Sequence, residues 1–438
     1  MSKPIVAIVG RPNVGKSSLF NRFLGQRVAI TADEPGTTRD RLFASIEWEG
    51  RALVIVDTGG LETRPEASIA KAVREQVQTA IDDADAIIFL TDVVDGVTPA
   101  DAEVADALRR SGKATVLAAN KADNPKRELD IADFHRLGLG EALPLSAHHN
   151  IGVGDLLDRV LSILPEAPPE EPAQGMRLAI VGRPNTGKSS LLNALLGEER
   201  SVVDEVPGTT RDSVDTLLEY RGEQVTLIDT AGIRRRGRIE RGVERFSTLR
   251  ALRAIERSDV ALLMLDASDF GAAQDAHVAG YVLEADKGLV LVVNKWDLAP
   301  SRDLTKEACE EHLRYQFRFA PYVPIVYTTA TKAEGLRQLM DAAQQVYQQR
   351  HLRISTGDLN KVIERAVGDH LPRMVGRRRL HILYVTQAEV NPPTFVFFVN
   401  DPKLLHFAYR RYLENRLREM FAFTGTPLKF VFRKRGEE

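Results

Sequence analysis

Ten residues of this chain occur twice. Gly10-Arg11-Pro12-Asn13-Val14-Gly15-Lys16-Ser17-Ser18-Leu19 returns as Gly182-Arg183-Pro184-Asn185-Thr186-Gly187-Lys188-Ser189-Ser190-Leu191, 172 residues later. The same displacement carries Pro35-Gly36-Thr37-Thr38-Arg39-Asp40 onto residues 207–212, and Asp57-Thr58-Gly59-Gly60 onto Asp229-Thr230-Ala231-Gly232. Asn120-Lys121-Ala122-Asp123 returns as Asn294-Lys295-Trp296-Asp297, displaced by 174. Solenoid repeats have periods of about 20–50 residues. A period this long means that a whole domain is duplicated.

The 438 residues suit roughly three domains of about 150 residues. The stretch 165–175 holds four prolines and no apolar periodicity, so it reads as a semi-extended linker. The expected organisation is a first domain over 1–164, the acidic Pro-rich linker 165–175, a second domain over 176–350 and a third over 351–438. The last of these carries 16 basic and 9 acidic residues, against 43 and 52 in the remainder. A basic module on an acidic body points to an anionic partner. A single cysteine, Cys309, precludes an internal disulfide and fits a reducing, cytoplasmic setting. The run Ile5–Val9 is too short for a leader peptide, and no segment nears the about 18 apolar residues of a membrane span. No membrane partner is expected.

Within each copy, near-continuous apolar runs alternate with helical patterns. Ile5–Val9, Leu42–Glu47, Leu53–Val56, Ala86–Leu90 and Thr115–Ala119 read as strands, and Ala70–Ile81 and Ala102–Arg109 as helices. Strands apolar on both faces, interleaved with helices, imply an α/β fold: a mostly parallel sheet covered on both sides. Ligands of such sheets bind at the carboxyl ends of the strands.

The repeated motifs follow those ends. Gly10, Gly15, Lys16 and Ser17, like Gly182, Gly187, Lys188 and Ser189, form a phosphate loop whose amides and helix N-terminus cradle phosphates. Lys16 and Lys188 are expected to reach the β- and γ-phosphates. Ser17 and Ser189 are expected to hold Mg²⁺. Asp57 and Asp229 are expected to hold the same ion through water, with the Gly60 and Gly232 amides meeting the γ-phosphate. Thr38 and Thr210, or alternatively Thr37 and Thr209, bind Mg²⁺ only with the γ-phosphate present, which makes that loop a switch.

Asn120, Lys121 and Asp123 select the base. The carboxylate accepts two hydrogen bonds from a guanine edge, a donor pair that adenine lacks. Asn294, Lys295 and Asp297 repeat the set, so both sites are read as GTP/GDP sites. Ser146 and Ala147 supply the last purine loop, with the Ala147 amide toward the guanine O6. The second copy departs here: its match is Thr329-Ala330-Thr331, displaced by 183, with about nine extra residues between 300 and 324.

These residues resemble the Der (EngA) family of tandem-G-domain GTPases, within the TrmE–Era–EngA–septin class, over essentially the whole chain. The C-terminal segments Tyr384-x-Thr386-Gln387, Asn391-Pro392-Pro393-Thr394-Phe395 and Gly425-Thr426-Pro427 look like that family's KH-like domain. The resemblance implies two P-loop GTPase domains, an α+β KH-like domain, and a monomer acting in assembly of the large (50S) ribosomal subunit on its rRNA. A nucleotide-regulated scaffold or RNA-binding switch in another process is the alternative.

From its own residues, the third domain reads as a helix over 358–370, strands Leu380–Thr386 and Thr394–Asn400, a helix Leu404–Met420 and a strand Leu428–Phe432. KH domains clamp RNA with a GxxG loop. None is present, since Gly376 precedes three arginines. Arg377, Arg378, Arg379, Arg433, Lys434 and Arg435 are therefore the expected RNA contacts, or a solvated or domain-docking face. Arg234, Arg235 and Arg236 follow the second DxxG as a nucleotide-gated RNA contact or a flexible charged loop. Ras-type enzymes place a water-orienting glutamine after DxxG, whereas this chain has Leu61 and Ile233. In related GTPases a P-loop asparagine helps bind K⁺. Asn13 and Asn185 hold that position, either for K⁺ or as loop-shaping residues, and slow, K⁺-stimulated hydrolysis is expected.

Overall fold

A computed structural model of the chain describes residues 3–25, 43–58, 69–124, 127, 129–164, 175–197, 204–207, 214–230, 248–269 and 273–434. Thr37, Thr38, Gly60, Leu61, Thr209, Thr210, Gly232, Ile233, Arg234–Arg236, Arg435 and residues 165–174 of the linker lie outside the described residues. The chain divides into two compact units, residues 1–172 with 247–256, and residues 173–246 with 257–438.

In the first unit, β1 (Ile5–Val9), β2 (Phe43–Trp48), β3 (Arg51–Asp57), β4 (Ala86–Asp92), β5 (Thr115–Asn120) and β6 (Leu143–Pro144) form one sheet in the order β2-β3-β1-β4-β5-β6. Only the β2–β3 pair is antiparallel. Every residue of β1 and β4 is buried, as expected of strands covered on both faces. One cover is the helix Val153–Ile163, whose Val153, Leu156, Leu157, Val160 and Leu161 repeat at helical spacing and enter the core.

The helix Pro99–Ser111 starts a turn earlier than the apolar pattern predicts. Thr98 accepts the Asp101 N–H, Asp101 accepts the Thr98 N–H, and Pro99 needs no amide partner there. The segment 248–256 belongs to this unit, with Arg250 donating to Asp83 at 3.2 Å and Arg253 paired with Asp85.

The second unit repeats the plan with β7 (Met176–Gly182), β8 (Asp204–Pro207), β9 (Val214–Tyr220), β10 (Glu223–Ile228), β11 (Val260–Asp266), β12 (Gly288–Asn294) and β13 (Ile325–Tyr327), in the order β13-β12-β11-β7-β10-β9-β8. The extra residues of this copy contain the helix Lys306–Gln316, capped by Thr305. The first copy has a short 3₁₀ segment, Asp130–Leu137, in its corresponding stretch. Cys309 sits on that helix, fully buried, and burial pushes its thiol up.

The C-terminal module adds the helix Thr356–Asp369, the short hairpin β14 (Met374–Val375) and β15 (Arg378–Arg379), then β16 (Ile382–Val390), β17 (Pro393–Val399), the helix Phe407–Phe421 and β18 (Lys429–Lys434). β17 pairs antiparallel with β16 and parallel with β18. The order α-β-β-α-β holds for the main elements, and the hairpin is an addition. The last helix begins at Phe407 rather than Leu404. Asp401 and Pro402 open a separate 3₁₀ turn, and His406 caps the helix with its ring nitrogen on the Ala408 N–H. Leu359, Ile363, Phe395, Phe397, Leu413 and Leu417 build this module's core.

This module is bonded directly to the second sheet. The Leu289 N–H of β12 donates to Gly425 O at 2.8 Å, and the Gly425 N–H donates to Tyr322 O at 3.0 Å. Gly425 has φ +67, and a Cβ there would stand 2.3 Å from Val346, so only glycine lets this turn approach β12. Arg350, 2 % exposed, donates to Asp286 O at 2.7 Å and to Asn391 Oδ1 at 2.5 Å. Burial lowers its pKa to about 10. Nearby Asp259 is held by Arg177 at 3.0 Å.

Burial alone would raise the Asp259 carboxyl, but the Arg177 hydrogen bonds and charge, with Arg350 behind, hold it below its usual 3.8. A depressed carboxylate stabilises the fold above its unfolded pKa and loses that contribution as pH falls through the folded value. Asp259→Asn should therefore cost about 3 kcal/mol at neutral pH, measured by urea unfolding. The gap to the unsubstituted protein should close as pH drops below 3.8.

Candidate nucleotide sites

Each site is framed at the carboxyl ends of the sheet. Gly15 has φ +100, and a Cβ there would stand 2.3 Å from Asn120 Nδ2. Gly187, at φ +94, has the same relation to Asn294 Nδ2 at 2.2 Å. Those amides use the space. Asn120 Nδ2 donates to Val14 O at 2.7 Å while its Oδ1 accepts the Ala147 N–H at 3.0 Å. Asn294 does the same to Thr186 O at 2.8 Å and to the Ala330 N–H at 3.1 Å. One buried amide in each copy thus ties the phosphate loop, the base-selecting loop and the last purine loop together.

Ala330 therefore stands to Asn294 as Ala147 stands to Asn120, despite the altered displacement. Both last loops also close with a one-pair antiparallel bridge, Ser146–Ile151 and Thr329–Glu334. Since Asn120 already takes the Ala147 N–H, a guanine O6 reaching it would share that donor.

Lys16 is buried, and its Nζ donates to Gly10 O at 2.7 Å and Arg11 O at 2.9 Å. Lys188 bonds Gly182 O at 3.1 Å and Arg183 O at 2.6 Å. Each lysine begins the helix that follows its loop and reaches back to two carbonyls at the start of that loop.

In the first copy Ser17 Oγ donates to Asp57 Oδ2 at 2.7 Å. Two hard oxygen donors brought together at a phosphate loop fit Mg²⁺. In the second copy Asp229 follows its strand in a left-handed conformation, φ +56, and its N–H donates to Asp215 Oδ1 at 3.0 Å. The two DxxG loops start differently.

Lys121 and Lys295 also have positive φ, 68° and 59°. Lys121 pairs with Asp92, and Lys295 with Asp266 at 2.6 Å. Burial raises the Asp266 carboxyl, but the bonds from Lys295 and Ser268 outweigh it and hold the group below its usual range. The carboxylates expected to select the base carry cations of their own: Asp123 accepts from Arg127 at 2.6 Å, and Asp297 lies 3.5 Å from Lys332. Asn13 and Asn185 are exposed, with φ +67 and +63, a conformation that asparagine tolerates better than most residues.

Sequence reasoning passed over a clamp behind each phosphate loop. Arg11 Nε donates to Asp101 at 3.0 Å and its Nη2 to Asp95 at 3.3 Å. Arg183 repeats this with both oxygens of Asp275 at 3.0 Å and with Asp269 at 2.9 Å. Burial pushes the Asp275 carboxyl up to about 6 despite Arg183, while the bonds to Asp269 and Asp275 outweigh burial and raise Arg183. Asp275 is fully buried and turns both oxygens to Arg183 Nε, which makes the pair one unit. The repeat held its trace, since Arg11 and Arg183 share the motif displacement and Asp101 and Asp275 the later one. Only the first copy adds Arg22, which donates to Ala147 O at 2.9 Å and His148 O at 2.5 Å. The second copy has Ala194 at that position.

Two such frames on mostly parallel sheets, each with a phosphate loop and a guanine-selecting loop, define a P-loop GTPase with tandem G domains. A family model described as "50S ribosome-binding GTPase" matches residues 5–121 and again 177–295, and one described as "KH-domain-like of EngA bacterial GTPase enzymes, C-terminal" matches 353–433. GTPase Der of Herpetosiphon aurantiacus is 51% identical over 446 residues, covering 100% of this chain and 98% of its own. GTPase Der of Chloroflexus aggregans is 52% identical, covering 99% of both chains. The chain belongs to the GTPase Der family. It binds guanine nucleotide and hydrolyses GTP. Among solved structures, Aquifex aeolicus Era bound to GDP and aluminium fluoride is 25% identical over 58% of this chain and 88% of its own, with a TM-score of 0.32, too low to bear on the arrangement here. Among the described residues no helix is long and apolar enough to cross a membrane.

Gly15→Ala should push the Asn120 amide off Val14 and strain a left-handed residue. A loss of about 3 kcal/mol corresponds to roughly 100-fold weaker binding. Titration with a fluorescent GDP analogue should then show one remaining site, and Gly187→Ala should remove the other instead.

Proposed function

We propose that the chain is a GTP-driven switch that binds precursors of the large ribosomal subunit through rRNA and acts in their assembly, as a cytoplasmic monomer. One observation carries this reading. Strand β12 ends in Asn294 of the second guanine frame and, through Leu289, is bonded to Gly425 of the basic C-terminal module. Nucleotide state in that frame is therefore mechanically connected to a surface suited to anionic RNA. The "50S ribosome-binding" description of the matched family supports the large subunit as partner. The working units are residues 1–164, the linker 165–175, residues 176–350 and residues 351–438.

When bound, Mg²⁺ would neutralise developing charge between the β- and γ-phosphates. Ser17 and Asp57, with Thr38, would hold it in the first domain, and Ser189, Asp229 and Thr210 in the second. Lys16 and Lys188 stabilise the transferring phosphoryl group. Gly60 and Gly232 meet the γ-phosphate. Asn120, Lys121, Asp123, Ser146 and Ala147, and Asn294, Lys295, Asp297 and Ala330, hold guanine. Asn13 and Asn185 would help hold K⁺, whose charge would favour hydrolysis. The Asn13 amide is exposed and has no partner among the described residues, as a group reserved for a ligand should be.

Sucrose-gradient sedimentation of lysate with GDP, or with a non-hydrolysable GTP analogue, tests the reading. Nucleotide-dependent comigration with the large subunit is the expected result, and migration away from ribosomal particles in both states would refute it. Hydrolysis in KCl should exceed that in NaCl, and Asn13→Ala with Asn185→Ala should reduce the difference at least about tenfold. Equal rates in the two salts for the unsubstituted protein would remove K⁺ from the mechanism.

A further inference from the structure

The C-terminal module contains a recess that none of the expected RNA contacts occupies. It measures about 460 Å³ and lies between the end of the helix Thr356–Asp369 and the start of the helix Phe407–Phe421. Its walls are Asp369, His370, Arg373, His406, Ala408, Tyr409, Tyr412 and Arg416. A recess of that size lies within the range of small-ligand sites.

The aromatic walls are fixed. The Tyr412 hydroxyl donates to Ala366 O at 2.8 Å and the Tyr409 hydroxyl to His370 O at 2.9 Å. Both rings are thus pinned to the carbonyls at the end of the preceding helix. The exposed His370 ring stands 5.3 Å from Tyr412 and 6.3 Å from Tyr409, and the Arg416 guanidinium lies 5.4 Å from the Tyr412 ring centre. With the two tyrosines held, a flat ligand would have to order His370 and Arg373 alone.

The charge balance favours an anion. Asp369, the one acid in the wall, is bound by Arg416 at 2.7 Å, and Arg416 also bonds Glu419 at 3.0 Å. Arg373 is exposed and has no partner among the described residues. His406 accepts the Ala408 N–H on Nδ1 at 3.2 Å, which leaves Nε2 as a donor and puts the amino end of a 15-residue helix at the recess. No group of three metal-ligating side chains that could hold a metal ion occurs among the described residues. Arg373 immediately precedes β14, and the hairpin it opens carries Arg377, Arg378 and Arg379. A backbone leaving the recess would find further cations along that hairpin.

We propose that this recess takes one unpaired nucleotide of single-stranded RNA, its base on the His370–Tyr412 wall and its phosphate at Arg373. The proposal rests on the RNA-binding reading above and gives it a location. Stacking on rigid aromatic walls with cationic support is how single strands are held without a GxxG clamp.

Fluorescence anisotropy of the full chain, saturated with GDP, with a labelled single-stranded hexaribonucleotide tests it. His370→Ala with Arg373→Glu should weaken binding at least about tenfold while GDP affinity and the melting temperature stay unchanged. A matched RNA duplex should bind more weakly than the single strand and respond less to the pair of substitutions. If the substituted protein binds the hexamer as well as the original, the recess is overturned. Loss on Arg377→Glu with Arg433→Glu in that case would leave RNA binding intact but move it elsewhere. Failure of the original protein to bind any single strand also overturns the recess, and the ribosomal reading is then judged separately by the gradient experiment. Equal binding of duplex and single strand rejects the unpaired nucleotide.

Discussion

Each guanine site hangs on one buried carboxamide. Asn120 and Asn294 bridge a carbonyl of the phosphate loop and an amide of the last purine loop, and each sits at the buried end of its strand. A buried amide left unpaired would cost about 1–3 kcal/mol, so the three loops are held in one arrangement or lose it together. Much else follows from that bond. The glycine facing the amide must lack a Cβ, the following lysine must adopt a positive φ, and the alanine that closes the frame must lie on a tight turn. The loops proposed for base and for phosphate are therefore parts of one hydrogen-bonded frame.

Much of this was legible in the sequence, because duplication made each motif its own control. The glycines of the repeated loop, the Asn-Lys-x-Asp motifs and the buried strands between them are local patterns, and local patterns survive in one dimension. Ala330 was also found, although nine extra residues displaced it, since the turn around it repeats in kind. What stayed hidden was long-range pairing. Arg11 and Arg183 read as parts of a loop motif, and nothing nearby says that their partners lie about ninety residues away on another helix. The recess in the C-terminal module was equally invisible, for it is shaped by tyrosines whose helical spacing reads simply as core. The short 3₁₀ turn before Phe407 was missed for a smaller reason, since Leu404 and Leu405 extend the apolar pattern but Asp401 and Pro402 end it.

The two copies are alike in frame and unlike in trim. The first has Arg22 bracing its last purine loop, and Ser17 bonded to Asp57. The second has alanine in place of that brace, an aspartate with a left-handed backbone at its DxxG, and an added helix where the first has a 3₁₀ segment. The asymmetry lies in what surrounds the shared frame, which is where a duplicated domain is free to diverge.

The glycine at the C-terminal joint has a further consequence. Gly425 receives a hydrogen bond from β12 and gives one to Tyr322, while Arg350 pins the same region from below through Asp286 and Asn391. With bonds at several separate points, the basic module has no axis about which to swing on that sheet. It works as a lever arm fixed to its fulcrum. A small tilt of β12 would be delivered at full angle and magnified by distance at the far end, where the arginine hairpin and the aromatic recess lie.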